Sequence, residues 1–215
     1  MKKIVYIIMF ATLVLGMGAC KKIENQTPSK VVKVSYPGIT LKGDEGVTIH
    51  VGDAYTDAGA TLTDDITGAV TDITGDASGV DVNTEGLYFV TFTAANANGY
   101  ETTIVRPVAV TDVPDAFDVS GEYLNAARGG TANLTKISRG LFKSDNVNGG
   151  GTALGSIYMM VKSDLSLDVP MQYSMDGGFT GDYLDDELVL SPDTSYAYAI
   201  DAPGFGTSLR LFEKQ

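Results

Sequence analysis

Four acidic residues close together in the last third of the chain are the first candidates for chemistry. Asp182, Asp185, Asp186 and Glu187 could pair two carboxylates, and a glycosidase needs two such groups about 5 to 10 Å apart. A run this local is more often a solvated turn between two strands. The sequence therefore keeps a glycosidase as the third hypothesis, behind two hypotheses without catalysis.

A single histidine and a single cysteine restrict catalysis further. One histidine cannot serve a Ser-His-Asp triad and also bind a metal, and one cysteine forms neither an internal disulfide nor a cysteine zinc site. Val47, Ile49 and Val51 share the face opposite His50, so we expect its side chain at solvent or a sheet edge. G-x-S-x-G, H-E-x-x-H and P-loop patterns do not occur, and no catalytic residue and no cofactor is predicted.

Aspartates in the first half of the chain offer oxygen ligands of the kind that Ca²⁺ binds. They are Asp53, Asp57, Asp64, Asp65, Asp72 and Asp76. None belongs to a D-x-D-x-D-G loop, and the sequence predicts no metal site.

Aromatic residues in the last third give the sharpest binding hypothesis. A flat ring at a loop tip can stack on the apolar face of a sugar while neighbouring Asp and Asn side chains bind its hydroxyls. Phe179, Tyr183 and Phe205 lie in or beside glycine-rich segments, and with Tyr173 they are the predicted ligand-binding residues. Tyr158, Tyr196 and Tyr198 belong to the same concentration. Packing in a core is the alternative to sugar contact for every one of these aromatic residues. Tyr196 and Tyr198 are two residues apart and therefore share one strand face.

The first twenty residues have the pattern of a secretory signal. Lys2 and Lys3 precede an apolar run over 4–15. The run is shorter than the roughly 20 residues that a membrane-spanning helix needs. We expect residues 1–19 to be a cleaved signal peptide and residues 20–36 to be a polar tether.

Met17-Gly18-Ala19-Cys20 resembles the lipobox of bacterial lipoproteins, where a signal peptidase cuts before the cysteine. The resemblance implies a diacylglyceryl group on Cys20, fatty acids such as palmitate, and a membrane contact made by the lipid alone. It implies an outer-membrane lipoprotein of the cell envelope. Lys21-Lys22-Ile23-Glu24 holds only one acid, so the choice of surface or periplasmic leaflet stays open.

Short alternating runs bounded by Gly, Asp, Asn and Pro predict strands from residue 31 onward. We predict an all-β protein: an immunoglobulin-like β-sandwich over 37–111, a linker at 112–116, and a second antiparallel β-sandwich or small barrel over 117–215. Pro107 predicts an edge strand or a bulge, because proline cannot donate to a ladder.

The first module resembles the bacterial immunoglobulin-like domains related to the HYR module. The residues that carry this resemblance run through 51–60, 64–65, 82–94 and 97–99. It implies a spacer or adhesive role without catalysis. Residues 119–123, 134–137 and 140–142 resemble the C-terminal module of uncharacterised lipoproteins that accompany starch-utilisation-type glycan uptake systems.

The formal charge of −12 excludes a nucleic-acid partner, because phosphates need a basic face. The leading hypothesis is a non-enzymatic envelope lipoprotein that binds a glycan or belongs to an uptake complex with outer-membrane proteins. The alternative is a structural or adhesive protein that binds other envelope proteins.

Overall fold

The computed structural model describes residues 34–173, 180–181, 184–185, 195–200 and 209–215. Within those ranges every regular element is a strand, and none of these residues forms a helix of the length and apolarity that a membrane span requires. Ser35–Gln215 forms one compact unit. The strands are β1 Gly38–Leu41, β2 Val47–Ile49, β3 Ala60–Thr63, β4 Val70–Ile73, β5 Gly86–Ala95, β6 Glu101–Val110, β7 Gly121–Asn125, β8 Gly130–Ser138, β9 Leu141–Ser144, β10 Ile157–Val161, β11 Leu167–Asp168, β12 Gln172–Tyr173, β13 Thr180–Gly181, β14 Leu184–Asp185, β15 Ser195–Ile200 and β16 Leu209–Lys214.

The first six strands form two facing sheets. One sheet has the order β1-β3-β4, and the other has the order β2-β6-β5, with β2 parallel to β6. The core between them contains Ala60, Val90, Phe92 and Val108, all fully buried. This arrangement confirms the predicted immunoglobulin-like sandwich.

Strand β5 is buried on both faces near its start. Tyr88, Val90 and Phe92 point into the sandwich core, while Leu87 and Phe89 belong to a different apolar cluster. Successive side chains of a strand point to opposite faces, so the two sets cannot share one core. The first module therefore has a second apolar surface outside its own sandwich.

Eight described strands of the second module form one sheet with the order β11-β10-β9-β8-β7-β16-β15-β14, in which all neighbours are antiparallel. Strands β12 and β13 pair in a separate two-stranded sheet. The eight-stranded sheet curls into a half-barrel around a core of buried residues. Tyr196 stacks on Phe212 at 4.8 Å between ring centroids, and Tyr198 stacks on Phe212 at 5.6 Å. The predicted second antiparallel β module is thus confirmed.

Strand β10 contains no polar residue except a tyrosine hydroxyl, and every one of its side chains is buried. Ile157, Met159 and Val161 point into the half-barrel core. Tyr158 and Met160 point the other way and pack with Leu87 and Ala109 of the first module. Two-sided burial explains the continuous apolar run, since alternation is lost when both faces are covered.

The prediction of an edge or a bulge at Pro107 is wrong. Pro107 lies in β6, the central strand of its sheet, and pairs with Phe89 in a register without a shift. The ladder with β2 begins one residue later, at Val108. Pro107 therefore has a paired strand on one side only, which is why the central strand accepts it.

The segment between the two modules is packed into the second one. Thr111 and Val113 are fully buried, and Val113 belongs to the half-barrel core. A Cβ on Gly140 would lie 2.7 Å from Val113 and 2.9 Å from Thr111, so glycine permits this close approach. The boundaries at 37–111, 112–116 and 117–215 stay predictions.

Candidate functional site

An apolar seam joins the two modules. We define the seam as Leu87 and Ala109 of the first module with Leu141, Tyr158 and Met160 of the second. The partly buried Phe89 and Ile137 pack at its margin. A Cβ on Gly46 would lie 2.6 Å from Leu141. An apolar centre packed this closely is typical of a permanent interface.

Glu85 holds one side of the seam. Its carboxylate accepts hydrogen bonds from Ser163 N–H at 3.1 Å and Ser163 Oγ–H at 2.7 Å, both from the second module. Thr111 Oγ1–H and Asp112 N–H also donate to Oε1, at 3.1 and 3.0 Å. One carboxylate thus ties the start of β5, the end of β6 and the turn after β10 together.

A second carboxylate spans the seam in the opposite direction. Asp168 of the second module accepts the Leu87 N–H at 2.7 Å. Glu85 directly precedes β5 and Leu87 is the second residue of that strand, so the start of β5 both accepts hydrogen bonds from the second module and donates one to it. Hydrogen bonds in both directions therefore hold the start of β5 against the second module.

Glu45 closes the other side of the seam. The Tyr158 hydroxyl donates to Glu45 Oε1 at 2.6 Å, and Lys143 Nζ donates to the same oxygen at 2.9 Å. Lys143 Nζ also lies 5.4 Å from the centroid of the Tyr158 ring. The buried tyrosine therefore has a partner for its hydroxyl and a cation near its face.

Polar contacts continue along β2. Thr48 Oγ1 lies 2.6 Å from Ser138 Oγ and donates to the Arg139 carbonyl at 2.7 Å. His50 Nδ1 lies 2.9 Å from Asp112 Oδ1 and 2.8 Å from Arg139 Nη1. The His50 side chain is 60% exposed, as its position in the sequence predicts.

The geometry favours the ionised form of the seam glutamates. Burial opposes ionisation of Glu85, but the hydrogen bonds from Asp112 N–H, Ser163 and Thr111 outweigh it and lower the pKa of Glu85. Burial likewise opposes ionisation of Glu45, and the Tyr158 and Lys143 hydrogen bonds outweigh it, so its pKa is also lowered.

Replacing Glu85 with glutamine is expected to make the free energy of unfolding less dependent on pH in the acid range. A carboxyl whose pKa is lowered by folding stabilises the protein above its unfolded pKa, ordinarily 4.5 for Glu, and this stabilisation is lost as the pH falls through the folded pKa. The wild type should exceed Glu85→Gln in free energy of unfolding at pH 7, and the difference should shrink below about pH 4.5.

Urea unfolding at a series of pH values measures that difference. Glu101→Gln is the matched control, because Glu101 is exposed at the opposite end of β6 from the seam. If the free energies of unfolding of the wild type and Glu85→Gln differ by the same amount from pH 7 to pH 3, the Glu85 carboxylate does not stabilise the seam through its charge.

A buried ion pair holds the interior of the first module. Arg106 is 1% exposed, and its Nη1 donates to Asp57 Oδ2 at 2.6 Å. Its Nη2 donates to the carbonyls of Lys42 and Gly59. Tyr55 donates its hydroxyl to the same Asp57 oxygen at 2.6 Å. Burial opposes ionisation of Asp57, but hydrogen bonds from Tyr55, Gly59 and Arg106 outweigh it and lower the pKa of Asp57.

Asn96 organises the end of the first module that is farthest from the seam. Its Nδ2 donates to the Ser35 carbonyl at 2.8 Å and to Asp65 Oδ1 at 2.9 Å. Its Oδ1 accepts the N–H groups of Asn98 and Tyr100. The side chain is 5% exposed and uses its full hydrogen-bonding capacity. It binds the first described segment of the chain to two turns.

Most of the predicted site residues lie outside the described residues. These are the lipidation residue Cys20 and the ligand candidates Phe179, Tyr183 and Phe205, and also Asp182, Asp186 and Glu187 of the acidic run. The structure gives Tyr173 a backbone position, opposite Thr180, and it gives Asp185 one, opposite Ala199. Their side chains are outside the described part. The predictions for these residues stay predictions.

Three of the aromatic candidates are buried. Tyr158 is 1% exposed in the seam, and Tyr196 and Tyr198 are 2% and 0% exposed in the half-barrel core. Burial raises the pKa of Tyr196 and Tyr198. Tyr196 and Tyr198 therefore pack in the core, and they do not form a surface on which a sugar could stack.

The aspartates of the first half serve the fold. Asp57 pairs with Arg106 and Asp72 with Lys42, while Asp64 and Asp76 accept backbone N–H groups of their own turns. Among the described residues, no three His, Cys, Asp or Glu side chains approach one another closely enough to bind a metal ion.

Comparison with known proteins defines the class of the first module. The profile of the immunoglobulin-like domain of bacterial surface proteins matches residues 39–110. The expected bacterial immunoglobulin-like domain is thereby confirmed. The relation to the HYR module and to starch-utilisation-type systems stays a prediction.

One solved structure similar to part of the chain is that of the lipoprotein BT2262 from Bacteroides thetaiotaomicron. It is 21% identical and covers 84% of this chain and 100% of that chain, with a TM-score of 0.39. None of the curated proteins matches the chain.

Sequence reasoning missed the residues that join the modules. Glu85 lies in the run 82–94 that carries the immunoglobulin-like resemblance, and nothing in that run indicates that its carboxylate bonds to a distant segment. Arg106 gave a usable signal, because a charged residue alternates with Ile104 and Val108 on the inward face of a strand. Such a cation needs a buried acid, and Asp57 was a candidate.

Proposed function

We propose that this chain is a non-enzymatic envelope lipoprotein, anchored through a lipid on Cys20. Its immunoglobulin-like domain holds the second β module away from the membrane. The match to the domain of bacterial surface proteins supports a place in the envelope. The lipobox-like residues 17–20 support the anchor, and the outer membrane is part of the proposal.

The observation that carries the spacer role is the placement of the seam. The first described segment joins the sandwich at Asn96, just beyond the end of β5, whereas the seam begins at Leu87, close to its start. Ten residues of strand span about 30 Å. The first module therefore separates the point where the tether arrives from the second module by about its own length.

The anchor predicts incorporation of fatty acid at one residue. Cells given labelled palmitate should label the wild type, and Cys20→Ala should abolish the label and release the protein from membranes. Met17→Leu is the matched control, because it restores the usual lipobox residue and should label at least as strongly. Label retained by Cys20→Ala would contradict the anchor.

We further propose that the second module binds a glycan through Tyr173, Phe179, Tyr183 and Phe205, as an accessory to a polysaccharide uptake complex. The burial of Tyr158, Tyr196 and Tyr198 leaves these four as the aromatic candidates of the last third. Aromatic side chains that stack on sugars bind through ring area, so truncation should weaken binding.

Retardation in gels that contain soluble polysaccharides tests this binding. Tyr183→Ala and Phe179→Ala should migrate faster than the wild type in the gel that retards it. Tyr36→Ala is the matched control, since it removes a ring that is 60% exposed on the first module. A wild type that no polysaccharide retards would end the glycan proposal.

The second candidate is an adhesive or structural role, which the surface-protein match favours. A photo-crosslinking residue placed at Ile66 of the first module and another at Leu209 of the second separate the two proposals in intact cells. Both side chains are exposed, at 41% and 61%. Crosslinks to an envelope protein through Ile66 favour adhesion by the first module.

A further inference from the structure

Exposed apolar side chains gather at the end of the first module where the tether arrives. We define the tip as residues 35–36, 64–70 and 96–100. Tyr36 is 60% exposed, Ile66 41% and Val70 63%, and the Tyr36 ring packs edge-on against Tyr100 at 5.7 Å. Elsewhere in Ser35–Gln215, the described residues expose only Met171, Leu209 and Leu211 among large apolar side chains.

The tip is held in one arrangement by its polar residues. Asn96 bonds to Ser35 and Asp65, as described above. Asp64 accepts the N–H groups of Ile66, Thr67 and Ala97, which joins the 64–70 turn to the 96–100 turn. These hydrogen bonds thus support the surface on which the three apolar side chains are exposed.

Chain length limits where this surface can be. Ser35 is the fifteenth residue after Cys20. A chain of that length extends at most about 50 Å in any conformation. A lipid on Cys20 therefore keeps the tip, where the folded body begins, within about 50 Å of the membrane, while the second module lies beyond the seam.

We propose that the tip rests on the lipid surface, with Tyr36, Ile66 and Val70 at the level of the headgroups. This inference rests on the proposed anchor at Cys20. Tyrosine suits that depth, because its ring is apolar and its hydroxyl is polar. Asp65 and Glu101 are exposed nearby, so the surface that fits the tip is zwitterionic rather than anionic.

The absence of tryptophan from the chain makes a direct test possible. Ile66→Trp places one fluorophore at the tip, and Leu209→Trp places one on the second module as the matched control. The lipidated protein is reconstituted into phosphatidylcholine vesicles with and without brominated acyl chains. Bromine quenches tryptophan only at short range.

We expect quenching of the Ile66→Trp protein by at least twofold and no change in the Leu209→Trp protein. Tyr36→Trp is a second reporter in case one variant does not fold, which far-ultraviolet circular dichroism checks. Vesicle-bound protein without quenching at either tip position overturns the tip contact but leaves the anchor intact. Protein that carries no lipid and does not float with vesicles overturns the anchor and the contact with it.

Discussion

Replacing Asp57 with asparagine is expected to lower the free energy of unfolding by about 3 to 5 kcal/mol, because it leaves a buried cation without its counter-charge. Arg106 has no access to solvent that could compensate, since its side chain is 1% exposed. The carbonyls of Lys42 and Gly59 accept from the guanidinium but carry no net charge. The change keeps the shape of the side chain, so the loss reports charge and hydrogen bonding.

Asp72→Asn is the matched control for that prediction. Asp72 also pairs with a cation, Lys42 Nζ at 2.7 Å, but the two side chains are 77% and 39% exposed. Surface pairs of this kind contribute about 0 to 1 kcal/mol. The same chemical substitution should therefore have a large effect at residue 57 and little effect at residue 72.

Urea unfolding followed by circular dichroism measures both variants. Asp57 has a lowered pKa in the folded protein and an ordinary value of 3.8, so its stabilisation is present above that pH and is lost as the pH falls through the folded pKa. The difference in free energy of unfolding between the wild type and Asp57→Asn should shrink below about pH 4. Equal losses for the two variants at pH 7 would contradict the importance of burial.

The fold was predictable because it depends on local patterns. Alternation of apolar and polar residues indicated strands such as β5, and turn residues separated them. The buried face of β5 was also predictable from its period of two. Which surface would cover the opposite face was not, because that depends on contact with a segment far along the chain.

The seam shows this limit in particular residues. Glu85 and Ser163 are 78 residues apart in sequence, and Glu45 and Tyr158 are 113 apart. Nothing in either local sequence distinguishes a carboxylate that bonds across a seam from one that is solvated. The unbroken apolar run of β10 is the pattern of a strand that is buried on both faces, but the pattern does not identify the partner.

The candidate site residues also fall into two groups, those whose surroundings the structure describes and those known from the sequence alone. Spacing placed Tyr196 and Tyr198 on one strand face, and only the stacked Phe212 decides that this face is the core. Cys20, Phe179, Tyr183 and Phe205 depend on sequence patterns alone, since they lie outside the described residues. The spacer role came from the resemblance of the first module to bacterial immunoglobulin-like domains, and the position of the seam at one end of β5 supports it as a proposal.

Leu87→Ala tests whether the first module is rigidly joined to the second module or behaves as an independent domain. Leu87 is 4% exposed in the seam, and Leu→Ala at a buried site costs about 2 to 5 kcal/mol. Leu209→Ala removes the same atoms from a side chain that is 61% exposed, and a surface change of this kind stays within about 0.5 kcal/mol.

Hydrogen exchange gives the readout that is specific to the seam. Tyr158 and Met160 cover Leu87 from the second module, so a cavity at residue 87 should reduce the protection of amides in β10 even though the substitution is in the first module.

Val90→Ala, on the opposite face of β5, provides the comparison, because Val90 is buried in the sandwich core. It should lower protection within the sandwich before it affects β10. Unchanged protection of β10 in Leu87→Ala, together with a reduced stability of the first module, would mean that the modules open independently and that the seam does not hold the second module in place.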